Sequence, residues 1–192
     1  ELTSLDVRQN TALDTLKCNG NLLTSLDLSN NTALTYLECS SNKLTSLDLS
    51  ANTSLTHLRC SGIQPLLSSG NFISVICNTN QFGSLDLSNN TALTYLDCSR
   101  NGLTSLDLSN NTALTYLSCG GNLLTSLDLS TNTALTYLDC RRRGDFPCAM
   151  GSFGWIGSLD LSNNTALTYL SCGGNQLTSL DVSNNTALTE LD

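Results

Sequence analysis

Apolar and polar residues alternate along this chain in a pattern that recurs every 21 residues, at Leu2, Leu23 and Leu44. The clearest copy, 103–123, contains two phrases, LTSLDLSNN and LTYLSCGGN, in which alternate residues are apolar. Period-two alternation is typical of strands with one buried face. A fixed period of this length predicts a repeat solenoid. We therefore expect an all-β-rich, right-handed coil around a leucine core, with two parallel β-sheets on opposite sides and little or no helix.

The repeats cover nearly the whole chain. Eight copies begin at Leu2, Leu23, Leu44, Phe82, Leu103, Leu124, Ile156 and Leu177. We expect a ninth, shortened copy between Pro65 and Gln81. The pattern is lost in two irregular segments, 61–81 and 141–155. Because both chain ends lie inside the pattern, without the polar caps that stacked repeats need, we expect residues 1–192 to be a single domain from a longer protein.

The composition of the chain argues against several classes of function. The net charge of −8 argues against nucleic acid, which needs a basic surface. We expect no membrane insertion, because no apolar run is long enough to cross a bilayer, and no signal peptide is visible at Glu1. The single histidine, His57, has no partner for nucleophilic catalysis, and the acidic residues are spread regularly. These features predict a protein that is not an enzyme and needs no cofactor or metal.

Cysteine also recurs once per copy. The predicted ladder contains Cys18, Cys39, Cys60, Cys77, Cys98, Cys119, Cys140 and Cys172. In-register side chains on stacked coils stay about 4.8 Å apart, too far between Cβ atoms for a disulfide. We therefore expect buried free thiols that act as small hydrophobes. Cys148 lies outside the ladder and could close a loop with Cys140 if that coil is distorted.

Two further rows are polar. Asparagines at two corners, exemplified by Asn111 and Asn122, are expected to satisfy backbone groups at the turns and to bond to one another along the axis. An outward row holds Asp6, Asp27, Asp48, Asp86, Asp107, Asp128, Asp160 and Asp181. A calcium-binding face is one interpretation of this row. A solvated stripe is favoured, because calcium requires six to eight surrounding oxygens.

The other strand phrase presents a face that varies from copy to copy. Its outward positions are Tyr36, His57, Ser74, Tyr95, Tyr116, Tyr137 and Tyr169, beside a second row of Lys17, Glu38, Arg59, Ile76, Asp97, Ser118, Asp139 and Ser171. A varied face on a constant scaffold is typical of a recognition surface, and tyrosine supplies rigid contact area. The alternative is that the tyrosines only form a stabilising stack.

Both irregular segments leave the solenoid just after a ladder cysteine, Cys60 or Cys140, and we expect them four coils, or about 19 Å, apart. They would wall a groove with a tyrosine floor. The predicted ligand-binding residues are Tyr95, Asp97, Tyr116, Ser118, Tyr137, Asp139, Arg141, Arg142, Arg143, Asp145, Phe146 and Trp155.

The tripeptide Arg143-Gly144-Asp145 within the second segment matches an integrin-recognition motif. In such a motif the arginine pairs with a receptor carboxylate and the aspartate completes a receptor metal site. The competing interpretation is that these arginines merely offset the nearby acidic rows.

The phrases LxxLxCxxN and LxxLDLxxN resemble bacterial leucine-rich-repeat proteins, specifically the nested 21-residue class called IRREKO repeats. The resemblance covers nearly everything outside 61–81 and 141–155. It implies an extracellular or cell-surface adhesion module with a protein or glycan ligand, and no catalytic residues. The alternative function is structural, with coils stacking end to end into fibres or a surface layer.

Overall fold

The computed structural model describes residues 1–62, 80–142 and 154–192. Its strands are β1 (Thr15–Lys17), β2 (Tyr36–Glu38), β3 (His57–Arg59), β4 (Tyr95–Asp97), β5 (Tyr116–Ser118), β6 (Tyr137–Asp139), β7 (Tyr169–Ser171) and β8 (Glu190–Leu191). They pair in parallel, in chain order, to make one sheet. Equivalent residues lie opposite each other, as Leu96 does to Leu117. The predicted parallel solenoid is confirmed, and the described residues contain no helix.

The second predicted sheet is absent from the described residues, where the LDL phrases form no strand ladder. The Asp107 carboxylate instead accepts the backbone N–H of Ser109 at 2.9 Å. The backbone then turns tightly, with Asn111 N–H donating to the Leu108 carbonyl at 3.0 Å. An aspartate that binds the N–H two residues ahead favours a turn over a ladder. A column of turns therefore replaces the expected sheet.

Leucine and cysteine fill the space between the sheet and this column of turns. Within one coil, Leu34, Leu37 and Cys39 are completely buried, and Leu28 is nearly so. Each coil contributes the same positions, which pack on their equivalents in the next coil. The core is therefore one continuous apolar column, as the alternation predicts.

Buried asparagines tie each coil to the coil before it. At the first corner, Asn111 donates its side-chain N–H groups to the carbonyls of Leu87 (3.2 Å) and Asn90 (2.9 Å). At the second corner, Asn122 donates to the carbonyls of Cys98 and Cys119 and accepts the N–H of Leu103. The predicted role in satisfying backbone groups is confirmed. Among the described corner asparagines the expected amide-to-amide bonds do not form, because both amide hydrogens go to backbone carbonyls.

The prediction of a ninth copy was wrong. His57 of β3 pairs directly with Tyr95 of β4, which leaves no room for a coil between them. Asn80 completes the coil of β3, donating to the carbonyls of Cys39 (3.0 Å) and Cys60 (3.1 Å) as Asn122 does in its own coil. Residues 63–79 are thus an insertion within one coil. Ser74, Ile76 and Cys77 lie outside the described residues.

Candidate functional site

The varied face carries a continuous stack of rings. This aromatic column consists of Tyr36, His57, Tyr95, Tyr116, Tyr137 and Tyr169, and all six rings are half-buried. Neighbouring ring centroids lie 4.0 to 4.7 Å apart and neighbouring planes differ by 3 to 11°. In-register parallel strands impose this spacing, because equivalent positions repeat at about 4.8 Å. The ring faces are therefore occupied by each other, and the ring edges remain for contact with a partner.

The row beside the aromatic column is less accessible than expected. Asp97, Ser118, Asp139 and Ser171 are all buried, the last completely. The Asp97 carboxylate accepts hydrogen bonds from the backbone N–H and the hydroxyl of Ser99, at 3.2 and 2.7 Å. These contacts hold it beneath the corner that follows the strand. Asp97, Ser118 and Asp139 are therefore less exposed than the sequence analysis expected.

Arginines lie over the buried carboxylates of this row. Arg59 is 2.9 Å from the Glu38 carboxylate on one side and 3.9 Å from that of Asp97 on the other. Arg141 contacts the Asp139 carboxylate at 3.2 Å and that of Asp192 at 3.4 Å. Each guanidinium thus bridges two carboxylates from different coils. The side chains of both arginines stay partly exposed, at 43% for Arg59 and 30% for Arg141.

Arg142 and Trp155 pack together beside the second insertion. The Arg142 guanidinium lies 4.6 Å from the centroid of the Trp155 ring, a cation–π contact. Trp155 is 37% exposed, an unusual value for so large an apolar side chain. Gly154, just before it, is required, because a Cβ atom there would overlap the Leu123 backbone. The predicted residues Arg141, Arg142 and Trp155 therefore do come together at one corner.

The two insertions leave the same corner position, as predicted. The second residue after the ladder cysteine is left-handed at Gly20, Ser41, Arg100, Gly121 and Gly174, with φ between 57 and 73°. Gly62 and Arg142 hold this position where the insertions begin. The insertions are closer together than expected, because only three strand spacings, or about 14 Å, separate β3 from β6.

The groove predicted between the insertions remains a prediction, since its walls fall outside the described residues. Arg143, Gly144, Asp145 and Phe146, with the integrin-type tripeptide, also lie outside them, as does Cys148. Two depressions in the described part lie on the opposite side, among the turns. Their volumes are about 250 and 240 Å³, and both are lined by Ser105, Asp107 and Ser109.

The outward aspartates are turn-forming residues as well as charges. Hydrogen bonds from Ser109 lower the pKa of Asp107, and equivalent serines lower the pKa of the others from Asp27 onward. At Asp6 a hydrogen bond from the Arg8 side chain lowers the pKa to about 2. The sequence analysis missed this role, although the D-x-S spacing that signals it is present in nearly every copy.

The cysteine ladder lacks the chemistry of a reactive or metal site. The seven described members, all those predicted except Cys77, are buried free thiols. Burial raises the pKa of Cys18 to about 11 and raises those of Cys60 and Cys119 well above the ordinary value of a thiol. Thiols of this kind stay protonated and unreactive at neutral pH. The described residues also contain no group of three side chains able to hold a metal ion.

Known structures place this fold among bacterial leucine-rich-repeat proteins. The functional domain of InlJ from Listeria monocytogenes, described as including a cysteine ladder, is 42% identical over 98% of this chain, with a TM-score of 0.68. A leucine-rich-repeat protein of Leptospira interrogans is 24% identical over 96% of it, with a TM-score of 0.68. An internalin of Listeria monocytogenes is 23% identical over 96%, with a TM-score of 0.62. The last two similarities concern the fold alone.

The chain spans 41% of the InlJ domain, 50% of the Leptospira protein and 83% of the internalin. No protein-family model matches the sequence, and no curated protein matches it. Within the described residues, no helix has the length and apolarity to cross a membrane. The expected bacterial leucine-rich-repeat class is thereby supported at the level of fold.

Proposed function

We propose that this chain is a noncatalytic binding module of a cell-surface or secreted protein, and that it recognises a protein ligand. The contact surface consists of the outer edges of the aromatic column together with Arg141, Arg142 and Trp155. Leucine-rich-repeat solenoids of the kind this chain resembles are binding proteins. The test below distinguishes a protein ligand from a glycan ligand.

The observation that carries this proposal is the difference between the two sides of the solenoid. On the side of the turns, every copy after the first presents the same aspartate and serine pattern. On the strand side, the residue after the buried strand leucine is at least partly exposed in the first three coils and changes there from Lys17 through Glu38 to Arg59. A constant scaffold needs no such variation. Variation from coil to coil is instead expected of a surface that matches the shape and charge of one partner.

The corner with Arg141 and Trp155 supplies the anchor of this surface. Binding energy at interfaces concentrates in tryptophan, tyrosine and arginine. Here an exposed tryptophan stacks on Arg142, and Arg141 is held in place by the Asp139 carboxylate. A preordered side chain loses less entropy on binding than a mobile one. The cationic corner on a chain of net charge −8 favours an acidic or aromatic segment of the partner.

The test compares two matched variants of the purified chain. Binding to a panel of purified extracellular-matrix proteins and to a glycan array is measured by surface plasmon resonance. We expect at least one protein to bind, and Trp155→Ala with Arg141→Ala to weaken that binding by a factor of about 30 or more. The control, Asp107→Asn with Asp128→Asn, keeps an oxygen for the Ser N–H and should leave binding unchanged. Equal losses in both variants, or binding only to glycans, would overturn the proposal.

An integrin-type receptor is the most specific partner that the sequence suggests, through Arg143-Gly144-Asp145. If the tripeptide is used, the chain should support cell attachment that requires divalent metal. Asp145→Glu should then remove attachment, because one added methylene displaces the carboxylate from the receptor metal. Attachment that survives this substitution would limit the proposal to the aromatic column and the Trp155 corner.

A further inference from the structure

Four phenol rings of the aromatic column follow one another without interruption. The ring centroids of Tyr95 and Tyr116 are 4.1 Å apart, those of Tyr116 and Tyr137 are 4.2 Å apart, and those of Tyr137 and Tyr169 are 4.3 Å apart. The planes in these pairs differ by 7, 10 and 3°. Each pair joins residues directly opposite in the sheet, so the backbone fixes the contact.

We propose that Tyr95, Tyr116, Tyr137 and Tyr169 form an oxidative cross-linking site, in which hydrogen peroxide activated by a haem peroxidase joins the rings of adjacent coils as dityrosine. The substrate of this modification is the protein itself. The inference does not depend on which ligand the chain binds.

The reaction balances as follows. Each of two neighbouring phenols gives up one electron and one proton and becomes a phenoxyl radical. The radicals couple through a new carbon–carbon bond between ring positions ortho to the hydroxyls. The hydrogens on these two carbons are then lost from carbon as protons while the hydroxyl groups are restored. Hydrogen peroxide takes up two electrons and two protons and leaves as two molecules of water.

The geometry favours coupling within the molecule. Two radicals on separate proteins must meet by diffusion, whereas these rings are already in contact and have a high effective concentration. Phenols packed face to face also exchange electrons readily, so a radical formed on one ring can move until a second radical arises beside it. The rings are half-buried at the surface of the sheet, so each keeps an edge exposed to the oxidant.

The protonation state suits this route. Burial and the neighbouring tyrosines raise the pKa of Tyr116, so its ring is a neutral phenol at physiological pH. Each oxidation therefore releases a proton along with the electron, and no charge accumulates within the stack. The described ladder thiols are buried and are therefore not exposed to the peroxidase.

The column contains its own control. His57 stands between Tyr36 and Tyr95, with centroids 4.7 Å and 4.0 Å from those rings. An imidazole forms no phenoxyl radical, so Tyr36 has no neighbouring phenol to couple with. Tyr36 nevertheless shares the burial and strand position of the other tyrosines. Whether Tyr36 becomes cross-linked therefore distinguishes a requirement for stacked phenols from a requirement for exposure alone.

The experiment treats dilute purified chain with a haem peroxidase and hydrogen peroxide. We expect blue dityrosine fluorescence, a mass decrease of two hydrogen atoms per cross-link, and cross-linked peptides that join Tyr95 to Tyr116 or Tyr137 to Tyr169 after proteolysis. The yield should not depend on protein concentration. Cross-linked chains should also unfold at a higher temperature, because the bond restricts the unfolded state as a disulfide does.

Phenylalanine variants decide the outcome, since they keep a stacked ring and so preserve the fold. Tyr116→Phe with Tyr137→Phe leaves no two phenols adjacent and should lower the intramolecular yield at least tenfold. Tyr36→Phe should leave the yield unchanged. Circular dichroism confirms that each variant is folded. Cross-links formed only between molecules, an equal loss in Tyr36→Phe, or an undiminished yield in the double variant would each overturn the proposal.

Discussion

The adjacent asparagines Asn110 and Asn111 differ in burial and in the number of hydrogen bonds that they donate. Asn111 is completely buried and its amide donates to two carbonyls of the preceding coil, whereas Asn110 is exposed and donates to the Ser88 carbonyl at 3.2 Å. The side-chain oxygen of Asn111 has no hydrogen-bond partner. Its whole contribution therefore comes from the amide nitrogen. A buried polar group stabilises only through bonds that replace those it made with water.

Replacing these two residues separately tests this difference. Asn111→Ala leaves the carbonyls of Leu87 and Asn90 unpaired in a buried site, so we expect a loss of about 3 kcal/mol in the free energy of unfolding. Asn110→Ala exposes the Ser88 carbonyl to water and should cost less than about 0.5 kcal/mol. Urea denaturation measures both values. Losses of similar size would contradict the assignment of Asn111 as a structural clamp.

The aromatic column is an element in its own right, because each ring contacts two others. Tyr116 packs between Tyr95 and Tyr137, with centroids 4.1 and 4.2 Å away. Tyr116→Ala removes both contacts and should cost about 3 kcal/mol of stability. Tyr116→Phe keeps them and should cost less than about 1 kcal/mol. Thermal unfolding checks the order of the two variants, and equal losses would mean that the hydroxyl, not the stack, matters.

The coil of β3 should fold without its insertion. Deleting 63–79 joins Gly62 to Asn80 and restores the spacing of Cys119 to Asn122. Closing the shorter loop should stabilise the chain by about 0.5 kcal/mol. Circular dichroism and the unfolding temperature should therefore be unchanged or slightly improved.

The matched deletion of 143–153 serves as the comparison for the first one. It brings Arg142 next to Gly154, which has no side-chain amide to bind the cysteine carbonyls. It should therefore be tolerated less well. Loss of the sheet signal after deletion of 63–79 alone would show that the insertion supports the fold.

The repeat predicted the register of every described strand pair except β3 with β4, because equivalent leucines must stack to stay buried. The prediction failed where the repeat was extended into the first irregular segment, in which most of its phrases are missing. Ser74, Ile76 and Cys77 were assigned to a coil of their own, although no LDL phrase precedes them. The burial of Asp97 and Asp139 was also missed, since alternation assigns a direction but does not show that the next corner folds over the side chain. The arginine bridges depend on contacts between coils that no local pattern encodes.

Stability of the whole molecule should fall at acid pH. Hydrogen bonds from serine lower the pKa of Asp107 and its equivalents below the unfolded value of about 4. A carboxylate with a lowered pKa stabilises the fold above its unfolded pKa, and this contribution is lost as the pH drops through the folded value. Because these groups are exposed, each contribution is small. These seven carboxylates, with Asp6, whose pKa Arg8 lowers to about 2, should still produce a gradual decline as the pH falls below about 4, measurable as a falling urea midpoint.

Stability should also fall at alkaline pH, for the opposite reason. Burial raises the pKa of the ladder thiols above the unfolded value of about 8.5, to about 11 for Cys18. The stabilisation is complete below the unfolded pKa and is lost as the pH rises through the folded one. Cys98→Ala with Cys119→Ala should reduce the steepness of this alkaline decline, although it lowers stability at neutral pH. An unaltered slope would exclude the thiols as its cause.

Direct pairing of β3 with β4 has a mechanical consequence. Strand pairs link residues 21 positions apart in an ordinary coil, but 38 apart across the first insertion and 32 apart across the second. A force that pulls the two ends apart peels one strand at a time from the stack. Each ordinary coil then releases about 70 Å of chain, and the two longer coils release about 130 and about 110 Å. An optical trap would therefore record a series of equal extension steps interrupted by two longer ones. The two insertions would add extra extension to the coils that contain them.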